Sequence, residues 1–487
     1  MDKLNTRFAP SPTGFMHIGN LRSALYPYLI AKKTGGKFIL RIEDTDQNRF
    51  VEGATEVIID TLKMVNIKYD EGPIIGGIHG PYIQSERKEI YKQYAEKLIK
   101  EGKAYYCFCD KKTLDTMRDE NGFNGYDRRC RNLTQTEIDN NLKAGLPFVI
   151  RQKVPINREI KFFDEVYGEI IVDSSTLQDI VLIKTDGFAT YNFAHIIDDY
   201  LMEINCVVRG NEYLSSMPSY ILLYEALNFK QPMFIHLPHI MGKDADGNIS
   251  KLSKRHGSVN FFDLVKQGIL PEAIINYVAF LGWHPSNSNQ EIYSLDELIQ
   301  EFSISKINKT DAIFDYDKLY WINNQYLSKL SDEKFREYAL PKIEEVLDIK
   351  TINVEQLLKI LKTRINNYMD ILEKIKFYKN VAEYDLSIYD NVKNKTDAQF
   401  AKGILKDIIQ LLEGINDWQE QNLFNKVKEF YEPKGIKYAS VMWVIRGALS
   451  GLAVSLGSAT DIMVILGKEE SIKRIKEADN KLQTTNI

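Results

Sequence analysis

Cysteine is scarce in this chain, four among 487 residues. That excludes a disulfide scaffold and suits a reducing compartment, so a cytoplasmic location is expected. No long hydrophobic run occurs either. The most apolar stretch, 441–467, contains Arg446 and is interrupted by Gly451, Gly457 and Asp461. A membrane span needs about 20 apolar residues with few charges, so packed helices are expected there and no membrane partner. Residues 1–10 carry no apolar signal-peptide core, and no repeat or low-complexity segment punctuates the chain. Neither sign of charge dominates: 63 Lys and Arg stand against 67 Asp and Glu, a net charge of −4. Such a balance neither advertises nor excludes nucleic acid, because phosphate binding depends on local basic patches. What is present is 44% hydrophobic and 27% charged, as in globular proteins. The length exceeds one ordinary core and predicts several domains.

The order of patterns suggests how these domains are built. Residues 6–9 read as a short strand running into Pro10, Pro12 and Gly14. A helical face of Leu21, Ala24, Leu25, Tyr28 and Leu29 follows. Pro27 lacks a backbone donor and predicts a local kink, and Gly35 and Gly36 end the helix. Residues 37–42 predict a buried strand, and Val51, Ala54, Val57, Ile58 and Leu62 a second amphipathic helix. Strand, helix, strand, helix opens a parallel α/β sheet. From about 82 to 186 the texture becomes α+β: a helix leading into a strand over 92–106, then short strands at 148–154, 160–164 and 169–172. The α/β texture returns near Tyr200, with a strand at 204–208 and a helix at 218–226. Beyond Leu264 nearly all patterns are helical. The expected fold is therefore α/β, a doubly wound parallel-sheet (Rossmann-type) domain split by an α+β insertion and followed by an all-α C-terminal region.

Two motifs carry chemistry. His17-Ile18-Gly19-Asn20 lies between the proline-rich turn and the first helix. A helix N-terminus presents free N–H groups and partial positive charge, which favour phosphate. Gly19 lets a nucleotide approach the backbone, and His17 is a phosphate donor; an ordinary surface histidine in a turn is the alternative. Lys251-Leu252-Ser253-Lys254-Arg255-His256-Gly257 follows the turn residues Gly242, Asp246 and Gly247. Four cationic or potentially cationic side chains in seven residues suit a triphosphate that develops charge on pyrophosphate; a solvated basic loop is the alternative.

Together the motifs resemble the paired HIGH and KMSK motifs of class I aminoacyl-tRNA synthetases. Arg7-Phe8-Ala9-Pro10-Ser11-Pro12-Thr13-Gly14, Arg41-Ile42-Glu43-Asp44-Thr45-Asp46, Asp198-Asp199 and Arg209-Gly210-Asn211-Glu212 are similar to the bacterial glutamyl-tRNA synthetases. In the tail, Arg446-Gly447-Ala448-Leu449-Ser450-Gly451 resembles part of the family's anticodon-binding end. The resemblance implies ligation of L-glutamate to tRNA(Glu) with ATP and Mg²⁺ through a glutamyl-adenylate. It implies that Arg7 meets the side-chain carboxylate, that Ser11 and Glu43 hold the α-amino group, and that Tyr191 and Arg209 complete the pocket. His17, Gly19, Asn20, Glu212, Lys251 and Lys254 fall to ATP, with His17 and Lys254 catalytic. The implied division is a catalytic domain at 1–82 and 191–262, an acceptor-end insertion at 83–190, a linking stem-contact region at 263–331 and an anticodon-binding domain at 332–487, in a monomer. Asn20 stands where other class I synthetases have histidine, and Tyr213 where many relatives have histidine. His195 lies where relatives vary and receives no role. The structural alternative for Arg7 is a pair with a nearby aspartate such as Asp44; for Arg209, an acidic neighbour; for Glu43, a helix cap.

Some relatives carry zinc at the position of Cys107, Cys109 and Cys130. Here the residue two beyond Cys130 is Asn132, a poor ligand. Tyr126, Asp127 and Asp110 are the remaining candidates, and zinc is not expected. Two rivals share the catalytic motifs. A glutaminyl-tRNA synthetase has a tail of β-barrels, and a glutamyl-queuosine ligase stops soon after the lysine motif, whereas about 230 residues follow it here. An enzyme that also charges tRNA(Gln) with glutamate, and a non-catalytic tRNA-binding paralogue, complete the alternatives. The paralogue would be expected to lose His17, Glu43 or Lys254.

Overall fold

A computed structural model describes residues 2–46, 49, 51–115, 126–244, 246–253, 256–257, 259–285 and 289–485. The chain divides into two compact units, Met1–Val265 with Pro271–Tyr316, and Lys266–Leu270 with Asp317–Ile487.

The first unit is built on short, fully buried parallel strands. β1 (Thr6–Phe8) runs into helix α1 (Ile18–Thr34), which returns to β2 (Phe38–Leu40); β1 and β2 pair in parallel, with Arg7 opposite Ile39. Both strands are apolar on both faces or carry buried polar side chains, as a sheet covered on two sides requires. The helix runs in one span through Pro27 and ends at Gly35, whose left-handed φ of 70° lets its N–H reach the carbonyls of Ala31 and Lys32. Helix α2 (Ala54–Met64) buries Ala54, Ile58 and Leu62 as its periodicity predicts, while Val51 lies before the helix and is exposed.

The insertion begins with α3 (Lys88–Lys100) and β3 (Ala104–Cys107), passes through α4 (Gln135–Lys143), and continues as β4 (Val149–Gln152), β5 (Glu159–Asp164), β6 (Gly168–Asp173) and β7 (Val181–Ile183). Strands β3, β4 and β7 form an antiparallel sheet, and β5 and β6 a hairpin in register from Glu159–Asp173 to Asp164–Gly168. Every second residue of β5 is buried, ending on Asp164. Helix α5 (Tyr191–Leu201) then restores the α/β order with β8 (Cys206–Gly210), α6 (Met217–Leu227) and β9 (Met233–Leu237). β8 and β9 are parallel, with Arg209 opposite His236. The N–H of Cys206 donates to the carbonyl of Asn5, which sets β8 beside β1. The lysine motif begins on a strand rather than in a loop: β10 (Ile240–Lys243) pairs antiparallel with β11 (Ile249–Lys251), and Lys251 ends that hairpin.

The second unit is helical throughout its described residues. The stretch predicted as packed helices forms Tyr438–Ser450 and part of Ala459–Thr484. Among the described residues no helix is long and apolar enough to cross a membrane. Arg474 is buried and gathers chain ends: it donates to the carbonyls of Phe377 (2.8 Å), Tyr378 (2.7 Å) and Leu449 (3.0 Å), and its Nε to Glu470 (2.9 Å). Those carbonyls lie at the ends of two helices, where no intrahelical donor remains. Arg474→Ala is expected to destabilise this unit by at least about 3 kcal/mol, because buried acceptors lose a charged donor. Urea unfolding and amide exchange of 376–379 and 447–450 measure it; an unchanged midpoint would mean that water replaces the guanidinium.

Candidate active site

The carboxyl ends of the parallel strands converge on a buried set of ionised side chains. Arg41, wholly buried just beyond β2, pairs with Glu43 (3.0 Å) and Asp199 (2.8 Å) and lies 3.7 Å from Asp198. Arg7 at the centre of β1 donates from Nε to Asp199 (3.0 Å) and from Nη1 to the carbonyl of Val208 (3.3 Å). Arg87 pairs with Asp198 (2.7 Å), which also accepts from Gln84 and the Tyr91 hydroxyl. Three arginines thus face three carboxylates. Burial pushes the Asp199 carboxyl up, but Arg7 and Arg41 more than offset it and hold it well below the usual carboxylate range. For Glu43 burial prevails over the same two arginines, and its carboxyl sits above the ordinary value.

Arg209 differs from these arginines. It is buried at the end of β8, and among the described residues no carboxylate pairs with it. Its Nε donates to His236 Nε2 (3.2 Å), Nη1 to His195 Nε2 (3.2 Å) and Nη2 to Met217 Sδ (2.8 Å). The rings of Tyr213 and Tyr220 lie 5.0 and 4.9 Å from its guanidinium carbon. A guanidinium has five N–H donors. Three go to neutral acceptors, the Tyr191 hydroxyl takes a further hydrogen bond, and no carboxylate among the described residues compensates the charge. Burial and the Arg209 charge keep His195 well below its ordinary pKa, so it stays neutral; its Nδ1–H donates to the carbonyl of Tyr191 (2.7 Å).

Arg7, Ser11, Asn20, Glu43, Tyr191, Arg209, Glu212 and Tyr213 line one cavity of about 220 Å³. Ser11, Glu43, Tyr191 and Tyr213 are shared with a second, of about 470 Å³, which adds Asp44, Asp46 and Lys184. The expected glutamate-binding residues are therefore brought together. Arg7 does have an acidic partner, though it is Asp199 and not Asp44. Glu43 caps no helix, since the residue before α2 is Gly53.

The nucleotide motifs meet at the N-terminus of α1. His17 is its N-cap, and its Nδ1 accepts from the N–H of Gly19 (3.3 Å). An acceptor at Nδ1 leaves the proton on Nε2, which becomes a donor. Burial and the nearby Lys251 charge lower the His17 pKa, so the ring is neutral. The chain after the lysine motif pairs with the chain around His17: Ile18 N–H donates to Val259 (3.0 Å) and Phe261 N–H to Met16 (3.0 Å). His256 holds the turn between, its Nδ1 accepting from the N–H of Ser253 (3.0 Å). A Cβ at Gly242 would lie 2.5 Å from the His256 ring, so only glycine fits there. Lys254 and Arg255 lie outside the described residues.

In the insertion, the sulfurs of Cys107, Cys109 and Cys130 lie within 4.8 Å of one another. The Tyr126 hydroxyl accepts from the N–H of Cys130 (3.0 Å) and hydrogen-bonds to the sulfurs of Cys107 and Cys130. Zinc was not expected because Asn132 is a poor fourth ligand; the structure offers Tyr126 instead. Three cysteine sulfurs and one phenol oxygen thus converge; deprotonated cysteines are ligands that structural zinc takes, and the phenol would be an unusual fourth.

Arg41, Asp164, His195 and His236 received no role from the sequence. Arg41 opens the Arg41-Ile42-Glu43-Asp44-Thr45-Asp46 motif, the one signal available; Asp164, His195 and His236 carry none. Arg41→Met is expected to cost about 3–5 kcal/mol at pH 7, because it leaves carboxylates buried without their cation. Asp199 is held low in the folded protein, so its contribution is present above the ordinary carboxylate range and lost as pH falls below it. The difference between mutant and wild type should therefore narrow below about pH 4. Urea unfolding at both pH values tests this; equal stability at pH 7 would show that Arg7 and Arg87 suffice.

A model of the class I tRNA synthetases (E and Q), catalytic domain, matches residues 3–321, and a model of the anticodon binding domain matches 332–479. A protein named glutamate–tRNA ligase from Clostridium novyi (strain NT) is 49% identical over 484 residues, covering 99% of this chain and 98% of its own. One of the same name from Clostridium acetobutylicum is 47% identical over 487 residues, covering 99% of each. The solved structure of a glutamate tRNA ligase from Elizabethkingia meningosepticum, in complex with its amino acid, superposes with a TM-score of 0.87 at 36% identity, covering 99% of this chain and 100% of that one.

Proposed function

The chain belongs to the class I tRNA synthetases of the glutamate and glutamine group, and on that basis we propose that it ligates L-glutamate to tRNA(Glu) at the expense of ATP. The observation that carries the choice of glutamate is Arg209, a buried cation that pairs with no carboxylate among the described residues and shares one small cavity with the carboxylate of Glu43. A substrate with a carboxylate at one end and an ammonium at the other satisfies both. Its side-chain carboxylate neutralises Arg209 with two parallel N–H···O bonds, and its α-ammonium meets Glu43 and Ser11. Glutamine offers one acceptor oxygen and two donors that face donors, so shape discriminates weakly and charge strongly. Arg7 lines the same cavity and adds field, though Asp199 shares its charge.

The α-carboxylate attacks the α-phosphorus of ATP, forming glutamyl-adenylate and releasing pyrophosphate. The terminal ribose hydroxyl of tRNA then attacks the activated carbonyl and AMP leaves. His17 Nε2–H and the first N–H groups of α1 donate to the phosphates, with Gly19 and Asn20 in that turn and Glu212 near the nucleotide. Lys251 and Lys254 offset the charge that develops on pyrophosphate. Mg²⁺, when bound with ATP, shares that task. Residues 83–190 receive the acceptor end, 263–331 contact the stem and 332–487 read the anticodon, in a cytoplasmic monomer. We further propose one structural zinc on Cys107, Cys109, Cys130 and Tyr126.

Charging of purified tRNA(Glu) and tRNA(Gln) with labelled glutamate and glutamine tests the reading. Glutamate on tRNA(Glu) is the expected product; glutamate on both would make the enzyme non-discriminating, and none on either would end the proposal. Arg209→Ala should lower kcat/KM for glutamate by at least about 10²-fold, because a desolvated ion pair is lost, with KM for ATP little changed. Wild-type preference for glutamate in that mutant would assign selection to Arg7. Elemental analysis after gel filtration should find about one zinc per chain if four ligands close the site; protein that folds and charges with none would leave the cysteines as core.

A further inference from the structure

Arg209 is oriented by residues to which the reaction itself gives no part. In the parallel pair β8–β9 its register partner is His236, fully buried. Asp164 reaches His236 from the insertion, at the end of β5, and is also fully buried. Its Oδ1 accepts the backbone N–H groups of Val166 (3.0 Å) and Tyr167 (2.9 Å). Its Oδ2 accepts the backbone N–H of His236 (3.1 Å) and faces His236 Nδ1 at 2.7 Å. With that carboxylate oxygen already holding one backbone donor, Nδ1 must be the protonated ring nitrogen. The other nitrogen, Nε2, is then a bare acceptor, and it lies 3.2 Å from Arg209 Nε. The opposite tautomer, or an imidazolium, would set N–H against N–H there.

The consequence falls on direction. Nε–H lies in the guanidinium plane, so an acceptor fixed to it sets the rotation of the whole fork. His195 Nε2 at Nη1 and Met217 Sδ at Nη2 complete a neutral cradle that fixes the plane without cancelling the charge. A carboxylate in place of His236 would do the first and defeat the second.

We propose that the Asp164–His236 pair is the positioning device for recognition of the substrate carboxylate, holding His236 as its Nδ1–H tautomer so that Nε2 aims the Arg209 fork into the cavity. This rests on the reading of Arg209 given above. It also makes the hairpin of the insertion part of amino-acid selection, since Asp164 is seated by the turn that follows β5. Asp164 and His236 touch no substrate; they act through Arg209.

Two measurements decide it. In full-length protein labelled with ¹⁵N-histidine, the His236 signals, assigned by their loss in His236→Leu, should report the Nδ1–H tautomer at pH 7; the Nε2–H tautomer or an imidazolium overturns the proposal. In charging assays, His236→Leu should raise KM for glutamate roughly 10- to 100-fold, the worth of one hydrogen bond to a charged group. Its kcat at saturating glutamate and its KM for ATP should stay within about threefold. His236→Gln, whose Oε1 can stand where Nε2 stood, should recover most of the loss. A Leu variant with the wild-type KM, or a Gln variant no better than Leu, overturns the proposal, because a purely structural histidine would alter stability and kcat instead. Wild-type protein that charges no glutamate would defeat the functional reading itself, whereas normal charging with an indifferent Leu variant defeats only the positioning role.

Discussion

The site depends on a balance of buried charge at the carboxyl ends of four short strands. Arg7, Arg41 and Arg87 are matched by Glu43, Asp198 and Asp199. Taking such groups out of water is costly unless each finds its opposite, and this matching is what allows polar side chains in a sheet core otherwise made of residues such as Phe38, Ile39 and Val207. Beside this matched set, Arg209 lines the small cavity and pairs with no carboxylate among the described residues. In the proposed reading, selectivity rests on that incomplete compensation, since a carboxylate already present would leave no demand for the substrate's own.

The nucleotide end uses a different device. No ion pair is needed to hold phosphate at the first turn of α1, because the unsatisfied N–H groups and the helix dipole are already there. His17 adds a directed proton donor by giving its Nδ1 to Gly19. The backbone pairing of 16–18 with 259–261 ties the following chain to that turn, and Lys251 lies close enough to His17 to lower its pKa. On the proposed reading, the two ends of the reaction thus rest on separate physics, side-chain charge for the amino acid and backbone dipoles for the phosphates, on the same strand–turn–helix.

Much of this was legible beforehand, and the exceptions share a cause. Strand β1 and helix α1 appear where residue pattern put them although both are buried on more than one face, and α2 buries Ala54, Ile58 and Leu62 on the single face that its period marks. The strand expected at 204–208 forms at Cys206–Gly210: the N–H of Cys206 at its start donates to Asn5, a contact just over two hundred residues away. Lys251 falls on a strand because Ile249 and Ser250 find β10 as a partner, which local composition rich in glycine and aspartate does not reveal. Tyr126 was one of three candidates for a fourth ligand, and only the turn that brings its hydroxyl to the N–H of Cys130 separates it from Asp127 and Asp110.

By itself the sequence determined the chemistry on offer: which side chains could bind phosphate, ammonium and carboxylate, and the order of strands and helices that sets them at one sheet edge. That information is local, carried by residue type, spacing and the period of burial. Tertiary structure decided what each charge was worth. Arg7 and Arg209 look alike in the sequence, each an arginine in or beside a short apolar strand pattern. Folding gives Arg7 the carboxylate of Asp199 and gives Arg209 two imidazoles and a thioether. A guanidinium is always charged, so its function is fixed by its neighbours, and those neighbours come from helices and strands that only the packed chain brings together.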